Sequence, residues 1–149
     1  MFDRDKLIDD LTADEGVRLY VYDDANPTAI VGPGYTFEGN PTFGIGHALN
    51  KTPLTPEQAR IICGWDVDAK TPALYAALPW LSGLSEPRQR AVADMAFNLG
   101  VAGLRGFTTF LSLLKAGRYA EAADDLKATK WDSQVRARAA RIEAKIREG

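Results

Sequence analysis

Asp14-Glu15-Gly16-Val17-Arg18-Leu19-Tyr20-Val21-Tyr22-Asp23-Asp24, answered further along by Pro41-Thr42-Phe43-Gly44-Ile45-Gly46-His47, decides how this chain folds. Upstream of Glu15, residues 3–13 carry Leu7, Ile8 and Leu11 at helical spacing, which predicts a short helix with an apolar stripe. Gly16 ends that helix, because glycine readily takes the left-handed conformation that terminates helices. Glu15 therefore sits at the negative end of the helix macrodipole. From Val17 to Tyr22 the pattern alternates: Val17, Leu19 and Val21 interleave with Arg18, Tyr20 and Tyr22, as in a strand. Asn26-Pro27, Gly32-Pro33-Gly34 and Gly39-Asn40-Pro41 are turn signals, so residues 24–41 read as loop and hairpin. Ala29-Ile30-Val31 and Thr42-Phe43-Gly44-Ile45-Gly46 are the strand candidates there.

The chain beyond Thr55 reads as helix. Thr55-Pro56-Glu57-Gln58 has a capping residue, a proline at the first helical position and a glutamine placed to reach back. The helix it opens carries Ala59, Ile62 and Trp65 inward, and Pro72 is expected to kink or end it. A further helix runs over about residues 86–99, with Val92, Met95, Ala96 and Leu99 on one face and Gly100 as its stop. Phe107, Phe110, Leu111 and Leu114 mark the next, which closes near Gly117. Ala122, Ala123 and Leu126 mark a short one, and Ala139, Ile142 and Ile146 the last. The predicted fold class is α+β and mostly helical. One domain over residues 1–149 divides into a β-containing lobe at about 15–54, an interlobe helix at about 56–70, and a helical lobe built from about 1–13 and 71–149.

Composition narrows the classes of function. A chain of 149 residues suits one domain, and 46% hydrophobic with 26% charged residues excludes wholesale disorder. No apolar run is long enough to span a bilayer, so stable membrane insertion is not expected. Met1 to Asp10 is studded with charge and lacks an apolar signal core, which predicts synthesis in a cytoplasm. Cys63 is the single cysteine, so no internal disulfide forms, and its apolar neighbours predict a buried structural thiol. One histidine and one cysteine argue against a conventional zinc site, and no cofactor is expected. Trp65, Trp80 and Trp131 read as core anchors rather than sugar platforms. Residues 1–70 hold 6 Lys+Arg against 12 Asp+Glu, and residues 71–149 hold 12 against 8. The basic excess near the C-terminus is either a solvated helix face or a patch that attracts a polyanion.

A helix-end carboxylate, a strand, a second carboxylate and a glycine-rich strand bearing a hydroxyl form a constellation with chemical meaning. Folding the hairpin back brings the three side chains near one cleft. Breaking a glycosidic bond needs such a set: one carboxyl protonates the leaving oxygen, and a second group handles the water or the sugar cation. Each residue also has a plainer reading. Glu15 suits a solvated helix end, Asp24 a turn, and Thr42 an ordinary β-branched strand position.

At this point the sequence resembles the phage-type lysozymes of glycoside hydrolase family 24. The resemblance rests on Glu15-Gly16, the apolar strand, Tyr22-Asp23-Asp24 and Thr42-Phe43-Gly44-Ile45-Gly46-His47. It extends through Trp65-Asp66-Val67-Asp68-Ala69, Asn98-Leu99-Gly100, Gly106-Phe107-Thr108-Thr109-Phe110 and Lys130-Trp131 with the arginine-rich helix after it. It implies a two-lobed lysozyme fold with no metal, and a muramidase that hydrolyses the β-1,4 bond between N-acetylmuramic acid and N-acetylglucosamine in peptidoglycan with inversion. Glu15 corresponds to the catalytic acid, Asp24 rather than Asp23 to the second carboxylate, and Thr42 to the threonine that helps place water. Asn98, Arg138 and Arg141 match substrate-binding positions. His47 takes a structural role by an ion pair or hydrogen bond, with Asp66 as the partner the family implies. The expected protein is a monomeric endolysin held in the host cytoplasm until the membrane is breached, with glycan strands rather than nucleic acid as its partner.

Two departures stand out. The segment between Asp24 and Thr42 is about a dozen residues longer than in short family members, and the net charge of −2 is unlike that of strongly basic lysozymes. The rival enzyme is a lytic transglycosylase working from Glu15, which has no use for a water-positioning pair. The rival of another class is an inactive module that binds wall or nucleic acid, and a pI near 5.4 argues against the latter.

Overall fold

The computed structural model describes residues 3–149. The described chain is α+β and mostly helical, as expected. It divides into two compact units, Met1–Ile61 and Ile62–Gly149, each taken by itself below.

The first unit opens with helix α1, Arg4–Glu15. The Asp3 carboxylate caps it by accepting from the backbone N–H of Asp5 and Lys6, which satisfies two donors that a helix start leaves free. Gly16 closes it at φ 70°, as its sequence position predicted. Strand β1, Arg18–Asp23, then pairs antiparallel with β2, Pro41–Gly44, which pairs antiparallel with β3, His47–Ala48. Tyr22 faces Thr42 across the first pair, and Phe43 faces His47 across the second. The Thr42–Gly46 stretch is thus split: Gly44 and Gly46, both at positive φ, let the chain reverse between β2 and β3. The Ala29-Ile30-Val31 strand does not form. Its neighbours are tied into turns (Ala29 N–H to Asn26 O, Tyr35 N–H to Gly32 O), so the segment has no strand to pair with, and Ile30 is 93% exposed.

The expected capping box opens helix α2, Pro56–Ala77. The Thr55 N–H donates to Gln58 Oε1 at 2.8 Å, and the Gln58 N–H donates to Thr55 Oγ1 at 3.2 Å. Contrary to expectation, α2 runs on through Pro72. Leu74 (2% exposed) and Leu78 (7% exposed) anchor the chain just beyond the proline in the core, and that burial offsets the lost helical hydrogen bond. Further expectations for α2 fail: Ala59 and Trp65 do not face inward, Trp65 being 66% exposed, and Cys63 is exposed rather than a buried thiol.

The second unit holds the apolar core. After a 3-10 turn at Pro79–Gly83 come α3 (Glu86–Arg105), α4 (Thr108–Lys115), α5 (Tyr119–Lys127), α6 (Lys130–Val135) and α7 (Ala137–Glu148). Gly100, at φ 71°, interrupts α3 where the sequence marked a stop. Val92, Met95, Phe110, Leu114, Leu126 and Ile142 are fully buried and interlock across these helices. Arg88 ties α3 to the end of α7 by donating from Nε to Ile146 O at 2.8 Å, while its guanidinium lies over the Tyr119 ring. Among the described residues no single helix is long and apolar enough to cross a membrane.

Candidate active site

Among the described residues of the first unit, only Asp23 and Thr42 are buried, so this unit is organised by polar contacts. Asp23 is the hub. Its Oδ1 accepts from the N–H of Ala25 (3.0 Å) and Gly39 (2.9 Å), and its Oδ2 from the N–H of Glu38 (2.6 Å) and the Tyr35 hydroxyl (3.0 Å). Both ends of the long 24–40 segment are therefore fastened to one carboxylate. Tyr35 stacks edge-on against Phe37, with ring centroids 5.1 Å apart, which stiffens the returning limb.

Burial alone would push the Asp23 carboxyl upward. The N–H groups of Glu38, Gly39 and Ala25 and the Tyr35 hydroxyl outweigh it and hold Asp23 below the ordinary aspartate value of 3.8. A depressed native pKa contributes stability that is present above the unfolded value and is lost as pH falls through the native one. The loop base should accordingly loosen only below about pH 3.8. The Glu38 and Gly39 amide chemical shifts, followed by NMR, should titrate together in that acid range. In Asp23→Asn they should be displaced at every pH and show no such titration.

Asp24, the next residue, is exposed. Its two oxygens accept from the two donors of Asn40, Oδ1 from the backbone N–H at 2.5 Å and Oδ2 from Nδ2 at 2.6 Å. The Asn40 side-chain and backbone bonds keep its carboxyl below the ordinary range, against the opposing pull of burial and of Asp23. The structure thus divides the labour between adjacent aspartates. Asp23 is spent on architecture, and Asp24 stays ionised and open. Gly39 is required beside it, since a Cβ there would run into Asp24 Oδ1 and stand 2.7 Å from the Ala25 nitrogen.

Thr42 is 3% exposed and donates its hydroxyl hydrogen to Asn40 O at 3.1 Å. Asp24 and Thr42 are thereby joined through one residue. Glu15, the last residue of α1, is exposed and lies against the β2–β3 turn. A Cβ on Gly46 would stand 3.4 Å from its Cδ and Oε2, in van der Waals contact, which puts the carboxyl directly beside this turn; it is the φ of 66° that calls for glycine there. His47 packs its ring edge-on against Phe43, centroids 5.3 Å apart. Its Nε2 is buried without a hydrogen-bond partner among the described residues.

The remaining sequence candidates belong to the second unit. Asn98 Oδ1 accepts from the Trp131 indole N–H at 3.1 Å, which gives this exposed amide a fixed orientation. Arg138 stands 3.5 Å from Asp94 and helps line an open, mostly apolar groove of about 680 Å³ that also takes in Val67, Leu74 and Phe97. The groove includes none of Glu15, Asp24 and Thr42, so its size does not make it the reaction site. Arg141 is exposed, and Asp66 is an exposed residue of α2. Sequence reasoning missed Asn40. The signal available was Gly39-Asn40-Pro41, which read as nothing more than a turn.

A helix-end acid beside a glycine turn, with a second carboxylate just past β1 and a hydroxyl on β2, is a set of groups that glycoside hydrolysis can use. The comparisons agree. The family model described as phage lysozyme matches residues 12–143. The chain is 28% identical over 162 residues to the pre-baseplate central spike protein Gp5 of Enterobacteria phage T4, covering 89% of this chain and 26% of that protein. It therefore spans about a quarter of the spike protein's length. It is 27% identical to probable T4-type lysozyme 1 of Dictyostelium discoideum (95% of this chain, 93% of the relative). It is also 27% identical to probable T4-type lysozyme 2 of the same organism (91% and 90%). The chain belongs to the phage lysozyme family, and with it to the glycoside hydrolases.

Proposed function

We propose that the protein is a muramidase that hydrolyses the β-1,4 bond between N-acetylmuramic acid and N-acetylglucosamine in bacterial peptidoglycan, with inversion. Glu15 protonates the leaving glycosidic oxygen. The Asp24 carboxylate takes a proton from the attacking water on the opposite face of the sugar, and the Thr42 oxygen, whose lone pairs remain free to accept, helps seat that water. Inverting chemistry asks for carboxyls roughly 6.5–9.5 Å apart, with room for one water between them. The observation that carries this reading is that Asp24, ionised and open, shares Asn40 with Thr42 on the sheet whose turn abuts Glu15. Asn98, Arg138 and Arg141 are assigned to the glycan strand, and His47 and Asp66 to structural support.

The test is product analysis of purified peptidoglycan. Mass spectrometry should find hydrated reducing ends, and NMR of fresh product should show the inverted anomer first. Anhydro ends would move the assignment to a lytic transglycosylase. Asp24→Asn should lower kcat about 100-fold, because the amide cannot take the water's proton. Full activity in that variant would remove Asp24 from the mechanism.

As to role, the reading is a monomeric endolysin of host cell lysis, kept in the host cytoplasm until the membrane is breached. Expression should lyse cells only when a membrane lesion is supplied. The spike relative favours a second role, a wall-digesting module of a virion. Finding the chain in purified virions would select that one.

A further inference from the structure

Of the five hydrogen bonds that Asn40 makes here, four go to the two residues assigned to the water. Its N–H and Nδ2 donate to the two oxygens of Asp24. Its carbonyl oxygen accepts from both the Asp24 N–H (3.2 Å) and the Thr42 hydroxyl (3.1 Å), which fills both lone pairs. Its Oδ1 accepts from Asn50 Nδ2 at 3.0 Å. The Asp24 carboxylate, which can only accept, fixes which way the amide points: nitrogen toward Asp24 and oxygen toward Asn50. Behind Asn40, Gly39 is pinned to the buried Asp23 carboxylate. The residue is thus held from three sides.

We propose that Asn40 is a positioning residue of the hydrolytic site, a clamp that holds the Asp24 carboxylate in one orientation and at a fixed spacing from the Thr42 hydroxyl. The inference rests on the roles given to Asp24 and Thr42 above. An exposed aspartate in a turn has several staggered rotamers open to it. Two donors from one rigid residue leave it one, so the orientation a water needs is set before substrate arrives. The same donors favour the charged form of the carboxyl. The nine-residue spacing to Glu15 and the hydroxyl of Thr42 say nothing of this. The clamp exists because the 24–40 segment returns Asn40 to the start of its own loop.

The experiment is a double-mutant cycle with pH profiles, using peptidoglycan as substrate. Asn40→Ala keeps the backbone donor and acceptor and removes only the side-chain amide. It should lower kcat about tenfold with KM within about twofold, because orientation rather than binding is lost. Its acid limb of kcat should move to higher pH, and Asn40→Asp, which sets a like charge against Asp24, should move it further. Melting temperatures should stay at the wild-type value. In an Asp24→Asn background, Asn40→Ala should cost nothing further, the mark of a residue acting through Asp24. If Asp24→Asn is impaired but Asn40→Ala is neutral, or its effect simply adds, the clamp is overturned while the roles of the site residues stand. If Asp24→Asn is fully active, the underlying reading falls and the clamp with it.

Discussion

Glu15→Gln is expected to lower the rate of peptidoglycan hydrolysis by about 10³-fold, with the melting temperature unchanged. The amide has the size and hydrogen-bonding reach of the carboxyl, so the fit against Gly46 survives. What it lacks is a proton to give the leaving oxygen, and the bond must then break to an unprotonated alkoxide. Glu15 is exposed at the end of α1, so its replacement opens no cavity and strands no buried charge. Turbidity clearing of purified walls by wild type and variant, beside a thermal melt of each, checks both halves. A variant that retains a tenth of wild-type activity would show that another group supplies the proton.

The second large effect is on stability. Phe110→Ala should destabilise the second unit by about 3–5 kcal/mol, a large share of the roughly 5–15 kcal/mol that holds a domain folded. Phe110 is fully buried among Leu81, Met95, Leu104 and their neighbours in the core. Truncating it removes a ring's worth of contacts and leaves a void that interlocked helices close only in part. Urea unfolding followed by tryptophan fluorescence reports on this unit, because Trp131 is 6% exposed within it. The variant's midpoint should fall steeply. The fraction still folded should cleave glycan with normal kcat, since Phe110 belongs to a different unit from Glu15 and Asp24. Glu15→Gln and Phe110→Ala are thus complementary controls, one without chemistry and one without stability.

What the sequence disclosed follows the range of the interactions involved. Thr55 and Gln58 signal their capping box because the whole device lies within one helical turn. Gly16 and Gly100 mark their stops because positive φ is a property of a single residue. Ala139, Ile142 and Ile146 give away the buried face of α7 through helical periodicity alone. The choice of Asp24 over Asp23 came from family resemblance, since no local pattern separates two adjacent aspartates; their different surroundings, Asp23 buried in a four-bond hub and Asp24 exposed, are set by the return of the 35–40 limb. Asn40 stayed hidden because its bonds to Asp24 join residues sixteen positions apart, across a loop whose path no local pattern encodes. Pro72 misled for a related reason. The penalty for proline in a helix is local, and the burial of Leu74 and Leu78 that outweighs it is tertiary. Ala29-Ile30-Val31 has strand-forming side chains, but a strand also needs a partner, and turns on either side deny it one.

The fastening of the 24–40 segment at its base bears on how this protein can change over generations. The bonds from Asp23 to Ala25, Tyr35, Glu38 and Gly39 close the loop below its tip, where Ile30 projects into solvent. The stretch between Pro27 and Gly34 is held mainly through backbone groups, by Arg18 to Pro27 O, Ala29 N–H to Asn26 O and Tyr35 N–H to Gly32 O, rather than through its own side chains. Mutations can rewrite those side chains, and so trial new surface contacts, while the stem beneath keeps its shape.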